Sequence, residues 1–261
     1  MDAPLCMPAA GLSCFACCPP IRPAGYDHAS DRGSWRRIFS ENRSAFLAGR
    51  LPQKAQVGFS CPGLGFLDSK GSQVGCLLHP ARNQGFDLRG PTGYRDKCDR
   101  ESCSESRAFA ALSPQAGDRL IGLCAGMDPF QFSSRRLNPV MRLLAFGPEA
   151  AEAAAGWGLS NTEDLAAWDW LGQAETALGW LLARMLDQES SGLLGRPDLA
   201  ASLAARAVEL AKRLGPTPPT EQGEPLFSLC DEWEARFWRF ISGRQRALPS
   251  QVQTWRSLVA Y

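Results

Sequence analysis

The sequence predicts a mainly α protein in two parts: a loop-rich, metal-stabilised N-terminal cysteine module and a C-terminal helical bundle. Three observations predict it. Eight of the ten cysteines precede residue 104. The same region is dense in Gly, Pro and Asp turn signals. Beyond residue 158, leucine, alanine and aromatic residues recur at three- and four-residue steps. A chain of 261 residues suffices for one substantial core, or for a small domain and a medium one. The expected division is a cysteine-rich metal-binding module over 1–110, a connecting region over 111–158 and a helical domain over 159–261.

In the first part, Pro19-Pro20, Pro62-Gly63 and Gly90-Pro91 mark turns. One helix is expected over 34–48, where Trp35, Ile38, Phe39, Phe46 and Leu47 share a face and Arg36, Arg37, Glu41 and Arg43 point outward. The rest of this part lacks long apolar periodicity, so apolar burial alone is not expected to hold it, and a metal would act as its staple. In the connecting region, residues 120–123 and 140–146 are apolar runs whose length does not separate strand from helix. Residues 150–155 are alanine-rich and read as helical.

The helical domain opens on Ser160-Asn161-Thr162-Glu163, which has the Ser-x-x-Glu form of a capping box. Leu165, Trp168, Leu171, Ala174, Leu178, Leu181, Leu182 and Met185 follow at helical spacing. Pro197 suits a first helical position for a second helix bearing Leu199, Leu203, Ala207, Leu210 and Leu214, ended by Gly215. Past the linker Pro216-Thr217-Pro218-Pro219, a third helix carries Leu226, Leu229, Cys230, Trp233, Phe237, Phe240 and Ile241. Three amphipathic helices joined by short breaks pack as a bundle, and the Trp and Phe stripe reads as its core.

The net charge of +1 gives no basic excess, so neither a nucleic-acid nor an anionic-membrane partner is expected. No run of about 18 apolar residues predicts a membrane span. The N-terminus lacks the basic start and long apolar run of an export signal, so a cytoplasmic location is expected. In that reducing compartment, clustered thiols point to a metal or redox centre rather than a disulfide framework.

The spacing of the thiols supplies the candidate ligands. Cys14 and Cys17 form C-x2-C, the separation at which two thiolates on a tight turn reach one ion while turn amides donate to sulfur. Cys76 and His79 form C-x2-H. Cys61 precedes that pair by 15 positions, joined to it by an extended apolar piece and the turn Asp68-Ser69-Lys70-Gly71. Cys98 and Cys103 are five apart, a spacing that would put them on different faces of a helix, so a loop is expected there. Cys18, adjacent to Cys17, serves packing or a second metal. The metal candidates are therefore Cys14, Cys17, Cys18, Cys61, Cys76, His79, Cys98 and Cys103. Cys6 lies in a tail expected to fray, and Cys124 and Cys230 sit among apolar neighbours as core thiols. Tyr26-Asp27-His28 offers a further ligand or proton carrier of lower rank. So many donors exceed one tetrahedral ion. A 4Fe–4S cluster or iron is the favoured occupant, with zinc, as two ions, the alternative.

Phosphate-binding and nucleophile motifs are missing: there is no Gly-x-x-x-x-Gly-Lys-Ser/Thr, no Gly-x-Gly-x-x-Gly after a strand and no Gly-x-Ser-x-Gly. With two histidines in the chain, a hydrolase built on several imidazoles is excluded as a reading.

The succession CFACC at 14–18, Cys61-Pro62 followed by Leu-Gly-Phe-Leu, GCLLHP at 75–80 and the Cys98/Cys103 pair resembles the YkgJ-like zinc- or iron-chelating family. The resemblance is partial and spans residues 14–103. Gly63 stands where an aromatic is usual, His79-Pro80 replaces a Tyr-centred pattern, and the closing Arg-Pro-x-x-Cys is absent. It implies a bacterial-type chelating module, and the same cysteine logic occurs in flagellin lysine methylases. The expected function is thus metal binding. The alternatives are a metal-dependent protein-modifying or electron-transfer enzyme, and an adaptor whose C-terminal helices dock a protein partner.

Overall fold

Residues 4–259, apart from 10, 17, 19–26, 28, 51–60, 94, 101, 190, 215–228 and 230, are described by a computed structural model. Helices dominate them, with a single two-stranded sheet among the described residues. The chain forms two compact units, Met1–Arg142 and Leu143–Tyr261. Residues 111–158, read from the sequence as a connecting region, are largely helical and are shared between both units.

In the first unit, α1 (Arg32–Leu47) buries Trp35 and Phe39, four residues apart on one face, as the periodicity predicts. It lies over a β-hairpin of β1 (Leu64–Phe66) and β2 (Val74–Cys76), paired antiparallel with Leu64 opposite Cys76 and Phe66 opposite Val74. Asn42 Nδ2 donates to the Leu64 carbonyl at 2.8 Å and ties helix to strand. Asp68 builds the connecting turn. Its carboxylate accepts from the amides of Lys70 (2.7 Å), Ser72 (3.2 Å) and Gln73 (2.8 Å), and these bonds hold it below its usual pKa against the opposing effect of desolvation.

The hairpin, α1 and two distant segments share one aromatic core of Phe15, Trp35, Phe39, Leu64, Phe66, Val74 and Phe130. Phe39 is its hub, with ring centroids 5.2 Å from Phe15, 5.5 Å from Trp35, 5.6 Å from Phe66 and 6.0 Å from Phe130. Apolar burial in this part is therefore contributed by single aromatic residues from separate segments. The Phe15 amide donates to Ser133 Oγ at 3.0 Å and the Val74 amide to Ser13 Oγ at 2.9 Å, which pins the N-terminal segment in place.

After the hairpin come two 3-10 turns (Pro80–Arg82 and Gly90–Thr92), α2 (Arg95–Arg100), α3 (Ser104–Ala110), α4 (Pro114–Leu123) and α5 (Pro129–Ser133). Helix α6 (Pro139–Ala145) spans the division between the units. The ambiguous apolar runs at 120–123 and 140–146 are thus largely helical. Ser113 and Asp128 cap α4 and α5, each followed by a proline at the helix start.

The second unit comprises α7 (Pro148–Ala155), α8 (Thr162–Ala166), α9 (Trp170–Gln173), α10 (Gly179–Glu189), α11 (Leu199–Leu214), α12 (Glu232–Ser242) and α13 (Pro249–Val259). The long helix suggested by the 165–185 periodicity is broken into α8, α9 and α10, with a 3-10 turn at Thr176–Leu178. The capping box is also shifted by one residue. Asn161 is the cap, its side chain taking the Asp164 amide while the Asp164 carboxylate takes the Asn161 amide. Helix α11 begins two residues after Pro197, and the linker 216–219 with Leu226 and Cys230 lies outside the described residues.

Of the expected aromatic stripe, Phe237 is in the core, while Trp233 is half-buried and Phe240 is 49% exposed; Trp238 and Trp255 are buried with Phe237 instead. Trp180 stacks on Trp255 at 4.8 Å and 7°, with Phe237 5.5 Å from Trp180 and 5.6 Å from Trp255. The start of α10 crosses the Phe146 backbone so closely that a Cβ on Gly179 would fall 1.8 Å from the Phe146 carbonyl oxygen. No helix among the described residues is long and apolar enough to cross a membrane.

Candidate metal centre

The hairpin brings the first two thiols together. Cys76 ends β2 opposite Leu64, and pairing continues past it, since the Leu77 amide donates to the Gly63 carbonyl at 2.8 Å. Cys61, three residues before Leu64, consequently lies at the same end of the hairpin. Gly63 fits here because Leu78 covers it: a Cβ would stand 2.8 Å from Leu78 Cδ1 and 3.6 Å from Cys61 Sγ. An aromatic residue at this position would displace that leucine.

Several sulfurs accept hydrogen bonds from amides two or three residues further on. Gly63 donates to Cys61 Sγ, Ala16 to Cys14 Sγ and Ser106 to Cys103 Sγ, all at 3.4 Å. The amides of Leu78 and His79 point to Cys76. Such bonds favour the thiolate. At Cys61 and Cys76 burial opposes them and wins. The Cys61 thiol is pushed up to about 11, first by desolvation, with the Gly63 amide lowering it and the charges of Cys76 and Cys98 raising it further. Cys76 is also raised, mainly by burial, with the Leu78 amide and Arg89 lowering it and Cys98 adding to the rise. Cys98 thus lies near enough to oppose thiolate formation at both Cys61 and Cys76, and Cys76 does the same at Cys61.

A second group lies beside Arg135. Its guanidinium pairs with Glu105, a carboxylate with 1% side-chain exposure that also accepts from Ser104 Oγ at 3.0 Å. Desolvation works against this arginine, but Glu105, then Cys103 and Cys14, raise its pKa. Cys14 and Cys103 thus share a cationic neighbour. Cys18 and Cys61 pack against the aromatic core.

The structure departs from the sequence reading at two candidates. Cys98 is on helix α2 rather than in a loop, while Cys103 is the N-cap of α3. The break between these helices lets residues five apart face different neighbours. His79 is exposed, and its Nδ1 accepts the Ala81 amide at 3.2 Å as the cap of the turn Pro80–Arg82. Cys17, Tyr26 and His28 lie outside the described residues. Asp27 accepts from the Ala29 amide at 2.9 Å and from Ser134 Oγ at 2.7 Å. Cys124 is a buried thiol as expected, 3.6 Å from the Leu120 carbonyl and 3.7 Å from Asn138 Oδ1. Among the described residues, no group of three or more His, Cys, Asp or Glu stands in metal-coordinating arrangement. Nothing in the local sequence distinguishes Arg89, or Arg135 beside Arg136, from surface charge.

No family model matches the chain, and neither a curated protein nor a solved structure matches it.

Proposed function

We propose that the first unit is a thiolate chelating module of the YkgJ-like kind, in a protein of a reducing, cytoplasmic setting. One observation carries the reading: Cys61, Cys76 and Cys98, from a loop, a strand and a helix, lie within mutual electrostatic range beside a hairpin whose amides donate to two of the sulfurs. Burial that raises Cys61 and Cys76 makes them poor isolated ionisable groups and good ligands for a cation that displaces their protons. Cys14, Cys17, Cys18 and Cys103 supply further sulfur. With His79 serving as a turn cap, the donor set is thiolate in character, which suits a 4Fe–4S cluster or iron, with zinc the alternative. Once bound, such a group would cross-link segments 14–18, 61–76 and 98–103 through metal–sulfur bonds.

Anaerobic purification, followed by metal and acid-labile sulfide analysis with a visible spectrum, tests this. Brown protein with sulfide selects the cluster, and colourless protein with zinc selects the alternative. Serine substitution of Cys14, Cys17, Cys61 or Cys76 is expected to lose the metal. Normal metal content in all four variants refutes the assignment.

A second reading concerns the other unit. Val208 on α11 and Phe240 on α12 are 55% and 49% exposed, apolar side chains that fit an adaptor role toward a protein partner. Replacing both with Ser leaves the fold intact and, on this reading, abolishes partner recovery in a crosslinking pull-down of the full chain. Unchanged recovery rejects it.

A further inference from the structure

We infer that Asp87 is a positioning residue: its carboxylate clamps the loop following Cys76 to the short helix that carries Cys98, and so sets these two sulfurs together. The inference rests on the chelating reading above.

Asp87 takes both arms of Arg89, Nε to Oδ1 and NH2 to Oδ2, each at 2.9 Å, and its Oδ1 also accepts the Arg89 amide at 3.0 Å. Oδ2 then receives Arg95 Nε at 3.1 Å. Arg95 is the first residue of α2, one turn before Cys98. On its other side the loop is laced to the residues after Cys76. The Leu88 amide donates to the Leu78 carbonyl at 3.1 Å, and Asn83 Nδ2 to the carbonyls of Leu77 and His79, both at 2.9 Å. One carboxylate therefore joins segment 77–79 to α2.

This is more than a surface pair. The side chains of Arg89 and Asp87 are 11% and 17% exposed, and the bidentate geometry is shared with a third group. A helix of six residues has no independent stability, so α2 sits where such contacts put it. Asp87 thus holds α2 through Arg95 and keeps Arg89 in place.

The test uses the full chain, reduced and stripped of metal, titrated anaerobically with Co2+ as the probe and followed by thiolate-to-cobalt charge-transfer absorption. Hydrogen exchange is measured in parallel on the metal-free protein. Asp87→Asn and Arg95→Gln are expected to weaken Co2+ binding about tenfold, as loss of a supporting residue does, and to lower the charge-transfer intensity to that of Cys98→Ser. Asp87→Glu restores both. Amides of residues 96–100 lose protection in the first two variants while those of β1 and β2 keep theirs. Wild-type affinity, intensity and exchange in Asp87→Asn and Arg95→Gln overturn the clamp and leave the chelating reading intact. Wild-type protein without any charge-transfer band overturns the chelating reading, and the exchange data then decide the clamp alone. Should Asp87→Asn lose the hairpin protection as well, Arg95→Gln carries the test, since that side chain is 58% exposed.

Discussion

Replacing Phe39 by Ala separates two ways of stabilising the first unit, an aromatic core and a metal staple. Phe39 is fully buried and touches four other rings. A buried Phe→Ala change costs about 3–5 kcal/mol, the lost transfer energy plus the cavity. Its edge-to-face contacts with Phe15 and Phe66, worth about 0.5–1.5 kcal/mol each, place the expectation at the upper end of that range, though the contributions do not simply add. A domain is stable by about 5–15 kcal/mol, so a loss of about 4–5 kcal/mol removes roughly a quarter or more of the unit's margin. Cysteine labelling in urea reads this unit selectively: nine of the ten cysteines fall within residues 1–142, whereas seven of the eight tryptophans lie beyond them. With chelator present, the wild type should show cooperative exposure of these thiols, and Phe39→Ala should move the transition to lower urea by about 4–5 kcal/mol. Phe39→Leu, which keeps much of the volume, should cost far less. If chelator-treated wild type exposes its thiols without a cooperative transition, or if Phe39→Ala shifts the transition by less than about 1 kcal/mol, the core is not what holds the unit.

Two further outcomes follow from buried groups elsewhere. The Cys124 thiol is pushed by burial from 9.0 to about 12, so the stability it contributes is complete below pH 9 and is lost as pH rises from 9 toward 12. The gap in stability between wild type and Cys124→Ala, measured by urea unfolding at a series of pH values, should therefore narrow by about 1 kcal/mol per unit across that window; a constant gap contradicts the account. In the second unit, Gly179→Ala places a Cβ where the Phe146 carbonyl already stands, and α10 must shift to accept it. A drop in thermal midpoint of more than about 10 °C, followed by tryptophan fluorescence, is expected, and a drop under about 2 °C speaks against that close approach.

The second unit was more legible in the sequence than the first because its burial is periodic. Leu199, Leu203, Ala207 and Leu210 announce α11 by spacing alone, and the structure buries all four. Periodicity also misled, since Leu165 to Met185 keep helical steps across breaks at 167–169 and 174–178 that no side chain advertises. In the first unit, the turn at Asp68 and the extended piece before it were readable from composition, and they became the hairpin. Its core was not. Phe15, Phe39, Phe66 and Phe130 are far apart in the chain, and their meeting depends on tertiary contacts that no local window contains. The site shows the same divide. Cysteine spacing offered candidate sulfurs, but the placement of Arg89 near Cys76 and of Arg135 near Cys103 and Cys14 comes only from the fold. His79 illustrates the limit from the other side, because an imidazole three residues after a thiol satisfies a turn as well as it would a metal.

Phe15 and Phe130 meet with ring centroids 5.4 Å apart, although more than a hundred residues separate them. During synthesis, the N-terminal end of this contact leaves the ribosome long before its counterpart exists, so the first unit is obliged to assemble late. Over that interval the cysteines at 14–18 and 61–103 emerge into solution without the ring cluster above them. On the chelating reading proposed above, ion delivery to the nascent chain and protection of its sulfur from oxidants would fall in the same brief period.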